Sequence, residues 1–384
     1  MTPRRIGIDV TSALTQGGGI GRYTRELVRA LISEDSSNQY QLFSARIPGS
    51  YPVPDPLPIN PFVTYKPAPI SELWLYRLWY RARLPLPVQW VTGKLDLFHS
   101  PDFVLPPVSG GIPTLLTVHD LSFVHYPEVY LEPLVSYLNS VVPWSVERAT
   151  HVLADSMATK EDLLSLWGVS EEKVTVLYSG VSERFRPVKD RQKIEAIRNK
   201  YGIGERPYVL AVGTVQPRKN YQMLIRSFKG VADQFPHKLV FAGGKGWMVE
   251  EMTAEVQRQS LQDRVTFIGF VDDEDLPALY SGATLLTFPS LYEGFGLPIL
   301  EAMACGLPVL ISDASCLPEV GGEAAVQLSP GDEAGWTRTV AELLGDEKRL
   351  QELTAAGFEQ ARKFTWEQAA GQLLGLYQSL TNAD

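Results

Sequence analysis

The stretch ATLLTFPSLYEGFGLPILEAMACGLPVLIS, residues 283–312, begins and ends with short apolar segments that have the length and composition of buried β-strands. Pro298 suits the first turn of a helix and Gly306 suits the left-handed residue that ends one, so a helix is predicted over residues 297–305. A strand, a helix and a second strand in this order form a βαβ unit with two parallel strands.

The same alternation runs along the chain in two series. Apolar strand patterns occur in the first half at 6–10, 40–45, 96–100, 114–118 and 151–155, and in the second half at 208–214, 238–244, 264–270, 283–289 and 307–312. Charged residues and proline interrupt the periodicity at 179–190. The sequence therefore predicts an α/β protein with two Rossmann-like, doubly wound domains, residues 1–185 and 186–384, in which the last helix is a candidate to pack back on the first domain.

Two segments depart from the alternation. Residues 48–69 contain eight prolines, which predicts an extended surface loop. Residues 71–84, SELWLYRLWYRARL, are apolar almost all round a helical wheel. This pattern indicates either a helix buried on several sides, with Arg77 and Arg81 emerging together, or a face that contacts lipid head groups.

Composition excludes several classes of protein. The chain has 384 residues, a formal net charge of −9 and two cysteines. A nucleic-acid partner would favour a basic stripe instead, and two cysteines form neither a disulfide framework nor a metal site. The start, MTPRRIGIDV, lacks the apolar core of a signal peptide, and no apolar run has the length of a membrane span, so we expect a cytoplasmic protein.

Four polar or glycine-rich segments follow predicted strands, at the edge where doubly wound folds bind ligands. They are residues 15–24, His119-Asp120, residues 216–220 and the segment after 283–289, and we expect a cleft between the domains to bring them together. The glycine loop is neither a Gly-x-Gly-x-x-Gly fingerprint nor a P-loop. Its three successive glycines indicate either close approach of backbone N–H groups to an anion or a tight turn.

Charged residues beside these segments indicate an anionic ligand that carries hydroxyls. Arg218 and Lys219 are predicted to open a helix, where cations are poorly placed unless an anion lies between them and the helix dipole; the alternative is a pair of solvated cations. Glu293 and Glu301 lie on either side of a glycine turn and suit hydroxyls on the two sides of a diphosphate; the alternative is two unrelated salt bridges. A nucleotide sugar has this layout of groups.

The motifs EGFGLPILE and AMACGLPVL resemble the signature of the retaining glycosyltransferases of family four, also called glycosyl transferases group 1. The likeness extends to VHD at 118–120, SGVSERFRP at 179–187, GTVQPRKN at 213–220 and GFVDDEDLPALY at 269–280. It implies the GT-B fold, two facing Rossmann-like domains with a cleft between them, with the acceptor on the N-terminal side and the nucleotide-sugar donor on the C-terminal side.

The resemblance also implies a role for each matching residue. Glu293 binds the donor sugar, Arg218 and Lys219 neutralise the diphosphate, and His119 lines the sugar site; with Glu293 these form the candidate catalytic set. The implied donor-binding residues are Gly18, Gly19, Thr214, Gly269, Phe270, Val271, Gly294, Phe295, Gly296, Leu297 and Glu301, of which Glu301 binds the ribose and 269–271 hold the base. Thr214 departs from the family, which often has an arginine there.

By resemblance to bacterial mannosyltransferases of polysaccharide assembly, the function is transfer of a hexose, with mannose from GDP-mannose favoured, to a saccharide or lipid-linked saccharide. A UDP-sugar donor, a nucleotide-sugar epimerase and a non-catalytic sensor remain alternatives. No cofactor or metal is expected, because Asp272 is interpreted as a helix cap preceding Asp273 and Asp275, not as part of a metal motif. Peripheral contact with the cytoplasmic membrane face, through residues 71–84, is a further hypothesis.

Overall fold

The computed structural model describes residues 3–47, 57–58, 60–244, 246 and 249–382, which form two compact units. Unit 1 comprises residues 1–180 and 366–384, and unit 2 comprises residues 181–365. Each unit has its own parallel sheet and its own hydrophobic core. Among the described residues, no helix is both long enough and apolar enough to cross a membrane.

Unit 1 is built on a seven-stranded parallel sheet in the order β3-β2-β1-β4-β5-β6-β7. Its strands are β1 Arg5–Asp9, β2 Gln39–Arg46, β3 Val63–Ser71, β4 Leu97–Ser100, β5 Thr114–Val118, β6 His151–Ala154 and β7 Val174–Val176. Its helices include α1 Thr11–Thr15, α2 Gly19–Glu34, α3 Glu72–Leu75, α4 Gln89–Thr92, α5 Ser122–His125, α6 Glu132–Arg148 and α7 Met157–Trp167. The strand order reverses at β1, which lies between β2 and β4.

Unit 2 repeats this plan with six parallel strands in the order β10-β9-β8-β11-β12-β13. The strands are β8 Tyr208–Val212, β9 Lys238–Ala242, β10 Val265–Gly269, β11 Leu285–Phe288, β12 Val309–Ser312 and β13 Ala325–Leu328. The helices are α8 Arg191–Lys200, α9 Tyr221–Ala232, α10 Val249–Arg258, α11 Leu276–Ser281, α12 Leu297–Ala304, α13 Leu317–Gly321, α14 Glu333–Gly345 and α15 Glu347–Ala361. Here the order reverses between β8 and β11.

The central strands are apolar on both faces because helices cover both sides of each sheet. Leu115 and Leu116 on β5 are fully buried, as are Leu285, Leu286 and Phe288 on β11. This burial explains why these strands read as continuous apolar runs in the sequence and not as an alternating pattern.

The C-terminal helix α16, Trp366–Asn382, belongs to unit 1 and packs against α2. Leu373 and Tyr377 on α16 are each only 1% exposed. The Tyr377 hydroxyl lies 2.8 Å from Nδ1 of His99. Burial lowers the pKa of His99 to about 3, so its imidazole is neutral.

The predicted loop over residues 48–69 is wrong in its C-terminal part, where β3 forms. Among the strands that the structure describes, β3 pairs only with β2, at the edge of the sheet, and Pro67 lies opposite Ser44. An edge strand tolerates proline because its outer N–H groups have no partner strand. The rest of the segment, apart from residues 57–58 and 60–62, lies outside the described residues.

The helix predicted over residues 71–84 is shorter than expected and only partly buried. After α3 the chain continues as a π-helical segment, Tyr76–Arg81. Trp79 and Tyr80 are buried, whereas Leu73 is 56% exposed and Trp74 51% exposed. The prediction of a helix buried on several sides is therefore wrong, because one side of this segment faces solvent.

The interpretation of Asp272 as a helix cap is also wrong. The helix begins at Leu276, and no side chain caps it. The carboxylates of Asp272 and Asp275 instead accept hydrogen bonds from Nζ of Lys200, at 2.9 and 2.6 Å. Lys200, at the end of α8 and distant in sequence, thus binds these carboxylates in place of the backbone N–H groups of the nearby helix.

Replacing Leu373 with alanine tests how far α16 stabilises unit 1. The variant leaves a cavity against α2, and we expect it to lose roughly 2–5 kcal/mol of stability. Leu374→Ala is the matched control, because Leu374 is adjacent and only half-buried. Thermal unfolding measures the stability lost in both variants. Equal losses would show that the buried face of α16 stabilises unit 1 no more than its half-buried face does.

Candidate functional site

The centre of the candidate site in unit 2 is a buried cluster of three charges. Arg218 Nη1 lies 2.7 Å from one carboxylate oxygen of Glu293, and Lys219 Nζ lies 2.6 Å from the other. All three side chains are less than one-tenth exposed. The three predicted residues therefore contact one another. Glu293 forms salt bridges in this structure, as the alternative interpretation expected.

The cluster joins the turn after β8 to the loop after β11. Arg218 and Lys219 form a 3₁₀ turn with Pro217, and α9 starts only at Tyr221, after Asn220 adopts a φ of +56°. The prediction that the two cations open the helix is thus wrong in detail. Arg218 also binds the loop through its backbone, since its carbonyl accepts from Leu291 N–H at 2.9 Å.

The protonation state of Glu293 follows from its neighbours. Burial would raise the pKa of this carboxyl, but the charges of Arg218 and Lys219 outweigh burial and hold the pKa at about 2. Glu293 is therefore a carboxylate at neutral pH. Two cations against one carboxylate leave the cluster with one net positive charge, which favours an anionic ligand.

Three residues that sequence reasoning missed fix the loop that carries Glu293. Ser315 Oγ accepts from Glu293 N–H at 2.9 Å, and Ser315 itself has a φ of +48°. The Cys316 thiol donates to the carbonyls of Glu293 and Phe295, at 3.1 and 3.2 Å. The Phe295 ring packs edge-on against Phe364, 5.8 Å between centroids. Ser315 and Cys316 follow strand β12, and that position was the signal available in the sequence.

The helix predicted over residues 297–305 is confirmed as α12. Gly296 precedes it with a φ of +98°, a conformation that favours glycine, and no side chain caps the helix. The first-turn amides of such a helix are suited to an anion. Glu301, on the second turn, is 2% exposed and accepts a 2.8 Å hydrogen bond from the hydroxyl of Tyr280. The sequence did not indicate this partner.

The remaining predicted donor residues of unit 2 follow strands β8 and β10. Thr214 is exposed just after β8. A Cβ on the preceding Gly213 would lie 2.9 Å from Cε of Lys219, so glycine lets the lysine lie over the backbone. At the end of β10, Gly269 has a φ of +75°, Phe270 is 58% exposed and Val271 is buried. Phe270 thus offers an aromatic face at the carboxyl edge of the sheet.

The glycine loop in unit 1 leads directly into α2. Gly18 immediately precedes this helix and has no side-chain cap. A Cβ on Gly18 or Gly19 would meet no atom within 4 Å, whereas one on Gly21 would lie 2.0 Å from the carbonyl oxygen of Gln16. Packing therefore requires Gly21, but neither packing nor a positive φ requires Gly18 and Gly19.

His119 lies in unit 1, after β5, and both its ring nitrogens face acceptors. Nδ1 lies 2.7 Å from the Asp155 carboxylate and Nε2 lies 3.2 Å from the carbonyl of Pro101. Burial would lower the pKa of His119, but the charge and hydrogen bond of Asp155 raise it to about 9. His119 is therefore an imidazolium that donates from both nitrogens. Asp155, which sequence reasoning missed, follows the neighbouring strand β6.

Among the residues that the structure describes, no group of three or more histidine, cysteine, aspartate or glutamate side chains is placed to hold a metal ion. The positive charge of the candidate cluster in unit 2 comes from Arg218 and Lys219. Of the predicted site residues, Gly18, Gly19 and His119 belong to unit 1, and the others belong to unit 2.

Known proteins resemble this chain over nearly its whole length. The family model for glycosyl transferases group 1 matches residues 193–360, and the model for glycosyltransferase family 4 matches residues 17–185. The O-antigen chain mannosyltransferase B of Escherichia coli is 30% identical over 376 residues, which are 94% of this chain and 96% of that protein. The serotype-specific mannosyltransferase WbdA of Escherichia coli is 29% identical over 71% of this chain, but the chain spans only 34% of its length.

A solved structure confirms the predicted fold class. Sucrose-phosphate synthase from Thermosynechococcus elongatus superposes with a TM-score of 0.76 at 23% identity, covering 99% of this chain and 100% of that one. At this identity the likeness concerns the fold, which is GT-B.

Glu293→Gln tests the charge cluster. The variant leaves Arg218 and Lys219 buried without a counter-charge, and we expect a loss of roughly 3–5 kcal/mol in stability. The pKa of about 2, against an ordinary 4.5, means that the stabilisation by Glu293 is complete above pH 4.5 and is lost as pH falls towards 2. Thermal unfolding at several pH values measures this difference, with exposed Glu342→Gln as control. If pyrophosphate raises the melting temperature of the variant no more than that of the wild type, the unpaired cations do not bind anions.

Asp155→Asn tests the charge on His119. With its pKa raised from 6.5 to about 9, the imidazolium stabilises the fold fully below pH 6.5, and this contribution disappears as pH rises through 9. We expect the stability difference between wild type and variant, on the order of 3 kcal/mol, to shrink over that range. Asp162→Asn, beside the half-buried His125, is the control. A difference that is constant with pH would mean that His119 is neutral.

Proposed function

Because this chain belongs to the glycosyl transferases of group 1, we propose that it transfers mannose from GDP-mannose to a hydroxyl of a saccharide, with retention at the anomeric carbon. The buried cluster of Arg218, Lys219 and Glu293 carries this proposal, since it sets a net positive charge beside the N-terminus of α12. The sequence likeness to the O-antigen chain mannosyltransferase B of Escherichia coli supports mannose as the sugar.

The cluster suits a diphosphate through an exchange of partners. Phosphate oxygens accept hydrogen bonds from guanidinium and ammonium groups as carboxylates do, and they carry more charge. The donor diphosphate therefore takes the N–H donors of Arg218 and Lys219 in place of Glu293. The released Glu293 carboxylate, held in its loop by Ser315 and Cys316, then accepts hydrogen bonds from hydroxyls of the donor sugar.

In the transfer step, the bond between the anomeric carbon and the diphosphate oxygen breaks and a bond to the acceptor oxygen forms. The diphosphate leaves with the bonding electron pair, and one of its oxygens takes the proton of the acceptor hydroxyl. Arg218 and Lys219 stabilise the charge that develops on the leaving group, a task that needs no metal ion here. Removing either cation should lower turnover by roughly 10²–10³-fold.

The other predicted residues take supporting roles. Glu301 accepts from the ribose hydroxyls, and residues 269–271 hold the base, for which the exposed ring of Phe270 offers a stacking face. The amides of Gly18 and Gly19, and of residues 294–297, bind phosphate or sugar, and Arg218 supplies the charge that Thr214 lacks. His119, with both nitrogens donating, acts as a fixed positive charge near the sugar and not as a base.

We propose that the acceptor is a saccharide or a lipid-linked saccharide, and that the enzyme acts in the cytoplasm, in peripheral contact with the inner face of the membrane. The exposed side chains of Leu73 and Trp74 support peripheral contact there, together with Arg77, whose guanidinium lies over the Trp74 ring at 5.1 Å. Arg81 is exposed on the same segment.

Calorimetric titration with GDP, UDP, GDP-mannose and UDP-glucose in the presence of EDTA tests the donor. We expect guanosine nucleotides to bind and Glu301→Ala to weaken them by about tenfold or more, equivalent to about 1.4 kcal/mol. Exposed Glu342→Ala is the matched control. Selective binding of uridine nucleotides would instead identify a UDP-sugar enzyme.

The proposal fails if no nucleotide binds without a metal ion, or if Glu301→Ala binds as tightly as wild type. Donor turnover separates the alternatives further. An enzyme that interconverts donor sugars without an acceptor is an epimerase, and a protein that binds the donor but neither transfers nor slowly hydrolyses it is a sensor. The anomeric configuration of the product, determined by NMR, tests retention.

A further inference from the structure

Unit 1 contains a cavity of about 440 Å³ whose acidic residues have no part in the roles above. The cavity lies between the carboxyl end of β1, the segment from Glu72 to Tyr80, and α6. Its volume is in the range of about 300–1,000 Å³ that is typical of small-molecule sites. It also lies where the strand order of the sheet reverses, the usual position of ligands in doubly wound folds.

Three carboxylates line this cavity, those of Asp9, Glu72 and Asp102, and no lysine, arginine or histidine lines it. Asp9 accepts hydrogen bonds from the N–H and hydroxyl of Thr11, at 2.9 and 2.6 Å, which fixes its orientation. Burial raises the pKa of Asp9 to about 6, and the charges of Asp102 and Glu72 add to that effect although Thr11 opposes it. The cavity is thus electrically negative and rich in hydrogen-bond acceptors.

Aromatic side chains also line this cavity. The rings of Tyr76 and Tyr137 are packed edge to face, 4.8 Å between centroids. Tyr80 is nine-tenths buried and lines the cavity, yet its hydroxyl has no hydrogen-bond partner among the described residues. A phenol hydroxyl that lines a cavity without a protein partner can donate to and accept from a ligand.

We propose that this cavity binds the acceptor, and that the acceptor end it takes is a neutral, unphosphorylated saccharide. Carboxylates accept strong hydrogen bonds from hydroxyl groups, and aromatic faces pack against the C–H face of a sugar ring. A phosphate group would face three like charges, of which only that of Asp102 is partly offset, by the charge of His119 outside the lining. This inference rests on the proposed transferase function, and it adds the charge class of the acceptor.

Calorimetric titration with the methyl α-glycosides of mannose and glucose, and with the same glycosides phosphorylated at the sixth carbon, tests this cavity. We expect at least one neutral glycoside to bind and its phosphorylated form to bind at least about tenfold more weakly. Tyr80→Phe removes only the hydroxyl and should weaken the neutral glycoside by about three- to tenfold. Tyr65→Phe, on exposed β3 and outside the cavity, is the control and should bind as wild type does.

Glu72→Gln tests the exclusion of anions, because the Glu72 side chain has no hydrogen-bond partner among the described residues and its replacement preserves shape. The variant should narrow the preference for the neutral glycoside by about threefold or more, while exposed Glu161→Gln leaves it unchanged. The inference is overturned if the phosphorylated glycosides bind as tightly as the neutral ones, if no glycoside binds, or if Tyr80→Phe has no effect. Binding of spermidine in preference to every glycoside would also overturn it, since the cavity would then be a cation site.

Nucleotide titration of the same preparations separates this inference from the proposed function. If nucleotides bind and no neutral glycoside does, the acceptor inference fails alone. If a neutral glycoside binds and no nucleotide does, the transferase proposal fails and the cavity remains a saccharide site.

Discussion

The buried carboxylate of Glu293 between two cations is the interaction on which the candidate site depends. A charge removed from water is tolerated only when partners at short distance compensate it, so Glu293, Arg218 and Lys219 each need the others to stay buried. The partners come from the ends of two adjacent parallel strands, β8 and β11, and their attraction holds those strand ends together. A site that stabilises itself in this way is already ordered before a ligand arrives.

A buried charge is compensated by a nearby partner in unit 1 as well. His119 and Asp155 end neighbouring strands and neutralise each other, and the Pro101 carbonyl takes the second imidazole proton. The neighbouring cavity has the opposite character, because Asp9 and Asp102 have no cation in its lining and Tyr80 has no partner for its hydroxyl among the described residues. The charge of His119 is therefore compensated within the unit, whereas the cavity leaves acceptors and donors open to a polar ligand.

Much of the architecture could be predicted because buried parallel strands read as continuous apolar runs, and because Pro298 and Gly306 bound α12. The family resemblance, drawn from the EGFGLPILE motif, is likewise confirmed by the family models that match the chain. What failed depended on contacts between distant residues. Pro67 argued against a strand where the edge strand β3 forms. Asp272 was interpreted as a helix cap, but its carboxylate binds Lys200. The site partners Tyr280, Ser315 and Cys316 lie on other elements. A position just after a strand indicated some of the site residues. Which residues of distant elements contact each other cannot be read from one segment of sequence.

The Cys316 thiol makes motion of the loop around Glu293 measurable without any substitution in the chain. Its sulfur is fully buried and donates to two carbonyls of that loop, and the chain's other cysteine, Cys305, is 3% exposed on the far end of α12. A thiol reagent reaches either sulfur only when its surroundings open. The labelling rate of Cys316 therefore reports how often the loop around Glu293 opens. The labelling rate of Cys305 reports how often the end of the following helix, α12, unfolds locally.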